Sequence, residues 1–71
     1  IVMKTLVTFY KEDTEGARAE VFENNGVYGV QYYMGYGNTE HFKEELFAGK
    51  SRNYAEDAAE NWALNIKTLN G

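Results

Sequence analysis

Through its first half the chain alternates apolar and polar side chains with a period near two, and beyond residue 53 the period lengthens to that of a helix. Residues 1–10, IVMKTLVTFY, are rich in β-branched and aromatic types and predict a strand, closed by the polar turn from Lys11 to Gly16. Residues 17–24 and 27–36 flank Asn25-Gly26, a dipeptide suited to a type I′ hairpin turn because both central residues there need positive φ. With those two as the loop, Asn24 lies opposite Val27 and the register follows. One face then pairs Val21 with Val30, Ala19 with Tyr32 and Ala17 with Met34, all able to be buried. The other pairs Phe22 with Gly29, Glu20 with Gln31 and Arg18 with Tyr33: a ring over a glycine, a polar pair and a cation beside an aromatic face.

The first strand is expected to pair antiparallel with residues 17–24. Its odd positions Met3, Val7 and Phe9 are uncharged whereas the even set includes Lys4, so the odd set is expected inward and Leu6 and Tyr10 outward. Residues 39–48, TEHFKEELFA, admit two readings. As a strand, Phe42, Leu46 and Ala48 share a face on which Glu44 intrudes; as a helix, Thr39 caps, Phe42 and Leu46 stack at i,i+4 and Gly49 terminates. The turn-like Gly35-Tyr36-Gly37-Asn38 before them favours a fourth strand.

A helix is predicted over about 54–69. Asn53 and Glu56 have capping-box spacing, Glu56 and Asp57 suit its positive end, Lys67 its negative end, and Asn70-Gly71 a stop. Tyr54, Ala55, Ala58, Ala59, Trp62, Ala63, Ile66 and Leu69 share one half of the wheel, with Trp62 near its centre. Leu64 falls on the opposite side, among Asp57, Glu60 and Thr68. The expected fold is α+β: an antiparallel three- to four-stranded meander packed on one face by a C-terminal amphipathic helix, as a single domain over residues 1–71.

The chain's 71 residues limit what such a fold can hold. A domain of this size hides only about 60% of its extended-chain surface, so any pocket is shallow or shared. There is no Cys and one His, which leaves neither a disulfide nor a zinc site of four N or S ligands; no cofactor and no metal are expected. Oligomerisation remains as the staple for a small core. No apolar run approaches the ~20 residues of a membrane span, and Ile1-Val2-Met3 is too short for a signal core, so a soluble chain with no membrane role is expected. The lack of Cys suits a reducing compartment, hence the cytoplasm. Eleven acidic against seven basic residues, net charge −4, with the bases dispersed, argue against binding a phosphate backbone.

Gly49-Lys50-Ser51 before the helix looks like the end of a phosphate-binding loop, but Glu44 stands where its first glycine belongs, and the chain cannot hold the parallel sheet that such loops serve. A looser anion site at Lys50, Ser51, Arg52 and the N–H groups around Asn53 competes with ordinary capping, the simpler reading. His41 has Glu40, Glu44 and Glu45 nearby and could act as a general base. With no Cys and no Ser or Thr in a nucleophile signature, a solvent-facing His is expected, and no catalytic residue is assigned. The neighbouring acids Glu44-Glu45 and Glu56-Asp57 point to different sides and do not converge on one substrate atom.

The six Tyr, four Phe and one Trp are the more informative set. Tyr28, Tyr32 and Tyr36 are expected on the helix-facing side as core. Leu6, Tyr10, Phe22 and Tyr33 are expected on the opposite face as an exposed apolar patch, and with Leu64 they form the candidate partner-binding set. Such a patch suits self-association as a homodimer or other homo-oligomer, or a protein partner. Rings alone, without basic surroundings, suit single-stranded nucleic acid less well.

The run from Ser51 to Trp62, SRNYAEDAAENW, resembles the C-terminal helix of small uncharacterised proteins of marine bacteriophages, T4-like cyanophages among them, and covers about a sixth of the chain. The resemblance implies a viral origin, a bacterial host cytoplasm and a host protein as partner, and carries no activity and no site residues. The sequence by itself names no function. The expectation it supports is a non-enzymatic protein-interaction or structural module. Single-stranded nucleic-acid binding on the aromatic face is the alternative, and an enzyme using His41 with Glu44 or Glu45 stands behind both.

Overall fold

Asn25 and Gly26 take φ of 55° and 80°, the left-handed pair that a type I′ turn requires. In this computed structural model, which describes residues 4–35 and 40–66, that turn joins β2 (Arg18–Asn24) to β3 (Val27–Tyr33). The predicted partners are met from Asn24 opposite Val27 to Arg18 opposite Tyr33, whereas the expected pair Ala17 and Met34 lies beyond the ends of both strands. β1 (Lys4–Tyr10) pairs antiparallel with β2, and β4 (Lys43–Phe47) pairs antiparallel with β3. The sheet order is β1-β2-β3-β4 and a single described helix, α1 (Arg52–Ala63), follows, which is the α+β meander expected. Residues 43–47 are thus strand.

The helix packs on β2 and β3 and less extensively on β1. Its Ala55, Ala59 and Ala63 join Trp62 in a core with Ala17, Ala19, Val21, Val30 and Tyr32. Small side chains bring the helix backbone close to the sheet, and Trp62 fills the remaining depth with its ring edge-on to Tyr32, centroids 5.0 Å apart. Lys11, from the β1–β2 turn, lies 4.5 Å from the Trp62 ring and donates to its carbonyl oxygen at 2.9 Å. A cation is thereby fixed at the negative end of the helix, the role anticipated for Lys67.

Several expectations need correction. β1 carries a bulge: Thr5 pairs with Phe22 and Val7 with Val21, so Leu6 is the extra residue. The bulge shifts the alternation, Leu6 packs with Val7 and Phe9 against the core, and Thr5 takes its place on the other face. Phe42 shares no face with Leu46, because it precedes β4 and sits 6.4 Å from the rings of both Tyr32 and Trp62. The helix begins earlier than expected, with Ser51 rather than Asn53 as its cap, the Ser51 Oγ accepting from the Tyr54 N–H at 3.3 Å.

The helix also ends before residue 69. Asn65 is left-handed at φ 65°, its N–H bonds the Trp62 carbonyl at 3.1 Å and the Ile66 N–H bonds that of Asn61 at 2.7 Å. This is a Schellman stop with asparagine in the glycine position, and it leaves Ile66 exposed. Tyr54, on the inward half of the wheel, is half exposed, and Met34 is exposed although Ala17 is buried. The expectations for Met3, Tyr36, Thr39, Lys67, Thr68, Leu69 and Asn70-Gly71 fall outside the described residues.

Gly29 has a packing reason. A Cβ there would lie 2.6 Å from the Glu45 carbonyl oxygen and 2.7 Å from the Phe22 ring. Gly29→Ala is expected to cost about 1–3 kcal/mol by overpacking, and Trp62→Ala about 3–5 kcal/mol by cavity formation. Against a total of roughly 4–10 kcal/mol for a domain of this size, urea titrations should find the Trp62 variant the less stable of the two.

Candidate interaction surface

Cross-strand rows define the face that α1 leaves uncovered: Tyr10 with Arg18 and Tyr33, then Thr8 with Glu20, Gln31 and Glu44, then Thr5 with Phe22, Gly29 and Leu46. Its centre is closed by its own side chains. The Arg18 guanidinium lies 4.0 Å above the Tyr33 ring while its Nε donates to Glu20 Oε2 at 2.8 Å. The Tyr33 hydroxyl donates to Gln31 Oε1 at 3.1 Å, and Gln31 Nε2 donates to Glu44 Oε2 at 3.4 Å. Phe22 lies against Gly29. Phe22 and Tyr33 are therefore buried, at 1% and 8% exposure, and do not form the open aromatic patch expected of them. Of the five residues proposed for a partner, Tyr10 and Leu64 are exposed, Leu6 faces the helix side, and no one surface joins them all.

His41 Nε2 lies 3.8 Å from Glu44 Oε1, with both side chains 36% exposed, and the His41 ring stands edge-on to Tyr33. The pair meets on open sheet surface rather than in a cleft. Glu45 points the other way and accepts the Tyr32 hydroxyl at 2.7 Å. The helix start has its charges locally occupied: Lys50 Nζ sits 5.1 Å from the Tyr54 ring centroid, and Arg52 Nε donates to Glu56 Oε2 at 2.6 Å. The segment is a capped helix end whose two cations already have partners.

The surface that sequence reasoning missed flanks β4. Leu46 is 63% exposed on the uncovered face. On the helix side, where α1 reaches little beyond β3, a cleft of about 280 Å³ is lined by Phe47, Tyr54, Asp57, Ala58 and Asn61. The Phe47 and Tyr54 rings make two of its walls, with centroids 5.2 Å apart and planes at 70°. The short link Ala48-Gly49-Lys50-Ser51 brings the last residue of a strand against the first turn of a helix. That spacing was the available signal. Chemically, the cleft offers aromatic walls, one carboxylate and one amide. Compared with family models, with curated proteins and with solved structures, the chain finds no match in any of the three. Among the described residues no helix is long and apolar enough to cross a membrane.

Burial, reinforced by the Glu45 carboxylate, holds the Tyr32 hydroxyl well above the usual phenol range. Burial and Glu20 raise that of Tyr33 against the opposing pull of Arg18. A raised folded-state value stabilises the fold fully below the unfolded phenol value of ~10 and less as pH climbs past it. Stability should therefore fall above about pH 10. Tyr32→Phe is expected to lose about 1–2 kcal/mol at neutral pH and to flatten that alkaline decline, read by urea unfolding at neutral and alkaline pH.

Proposed function

We propose that this domain is a non-enzymatic interaction module that presents the β4 side of its sheet to another protein. The observation that carries the reading is the position of Leu46, largely exposed on an end strand of the sheet and directly followed by the ring of Phe47 in the cleft on the opposite face. A partner gripping that edge reaches apolar surface on both sides of one strand. Phe42 and Tyr54, each about half exposed, extend the surface on the helix side. The other exposed large apolar side chains among the described residues, Tyr10, Met34, Leu64 and Ile66, lie on β1, just past β3 and at the end of the helix, and isolated exposures of that kind are common.

Charge favours a partner other than a second copy. A symmetric contact would join two chains of net charge −4 around the exposed Glu44. The resemblance of residues 51–62 to phage proteins would make that partner a host protein. Stacking of single-stranded nucleic acid has less support, since Tyr10 is the one exposed ring among Tyr10, Phe22 and Tyr33.

The test places a photo-crosslinking side chain at Leu46 and, as a control, at Glu15 in the distant β1–β2 turn. The expected result is a discrete heterologous adduct from position 46 alone, with the purified protein monomeric by light scattering at ~100 µM, a concentration that detects micromolar dimers. Equal labelling from both positions would sink the reading, and an adduct of twice the chain mass would replace the partner with a second copy. Leu46→Asp should abolish contacts of the surface while changing stability by no more than about 0.5 kcal/mol in urea.

A further inference from the structure

We infer that the cleft lined by Phe47, Tyr54 and Asp57 receives a basic side chain, arginine or lysine, from the partner. The inference rests on the reading of the β4 side as a contact surface and adds the chemistry of what enters it. The two rings pack edge-to-face at 70°, and the aromatic surface they leave lining the cleft is electron-rich, the kind a cation seeks. Ala58 leaves room for an alkyl stem, and Asn61 offers an amide oxygen as an acceptor. Asp57 completes the set: exposed at the rim, its carboxylate makes no hydrogen bond or ion pair among the described residues, whereas Glu56 beside it is taken by Arg52.

The chain already demonstrates the chemistry on one wall, where Lys50 sets its ammonium 5.1 Å from the centroid of the Tyr54 ring. That contact leaves Asp57 unneutralised. A guanidinium or ammonium entering from a partner gains the carboxylate and the aromatic surface together, and the net charge of −4 draws it in. An apolar side chain would gain the rings and leave the acid unpaired. A cleft of about 280 Å³ has room for one such side chain.

Backbone-amide NMR of the full chain, titrated with the capped tripeptide acetyl-Gly-Arg-Gly-amide, tests this. Shifts are expected at Phe47, Tyr54, Asp57, Ala58 and Asn61, saturating with a millimolar Kd, the range of a single side-chain contact. Asp57→Asn should weaken binding about threefold, and Glu15→Gln, the same charge change far from the cleft, should leave it unaltered. The inference is overturned by an absence of localised shifts, by equal shifts with norleucine in place of arginine, or by equal weakening in the two variants. Because the probe is independent of the Leu46 crosslink, a failure here with that crosslink intact removes the cationic occupant and keeps the contact surface.

Discussion

Two left-handed residues, Asn25 and Gly26, set the register on which every other contact depends. A two-residue link matches the right-handed twist of its strands only in a primed turn, so the pairing of β2 with β3 has no room to slip. Slipping by one residue would turn one strand's inward set, Val21 with Ala19 or Val30 with Tyr32, from the helix to solvent. The same register puts the Phe22 ring across Gly29 and the Arg18 guanidinium over Tyr33, closing the second face without a second helix. One helix and the sheet's own side chains thus cover the middle of both sides.

The helix contributes mass where the hairpin demands it. Alanines line its inward face so that one large side chain, Trp62, reaches Tyr32. Twelve residues of helix are about 18 Å long, and they pack chiefly on β2 and β3. Lys11 and the Asn65 stop hold its far end to the β1–β2 turn. The near end meets β4 through the Tyr54 ring against Phe47, and the cleft lies beside that contact.

Register, strand order and the buried helix face were legible because each follows from a local rule with a periodic signature: the Asn-Gly turn, alternation, and the Ala and Trp62 stripe. What escaped was of two kinds. Backbone irregularities leave little trace in periodicity; the bulge at Leu6 showed only as the adjacent pair Leu6-Val7, and the helix stop turned on Asn65 accepting a left-handed φ. Burial on the uncovered face was the second. Alternation names which side a residue takes and is silent on how completely neighbours cover it: the pairings of Phe22 with Gly29 and Arg18 with Tyr33 were legible, their burial of both rings was not. The β4 surface was hidden for the converse reason, since Leu46 and Phe47 look like core in sequence.

Exposure of Leu46 is therefore the feature that the fold leaves unexplained by its own stability. Phe22 and Tyr33, on the same face, are covered, so the sheet has the means to bury side chains there without a second layer. At β4 the neighbours of Leu46 are Gly29 across the strand and the acid Glu44 two residues before it, and neither shields it. Charge beside an apolar side chain on an end strand deters indiscriminate sheet-to-sheet pairing while keeping a contact available to a complementary surface. That combination suits a selective interface better than a core, and it is why the interaction reading centres on β4 rather than on the aromatic middle of the sheet.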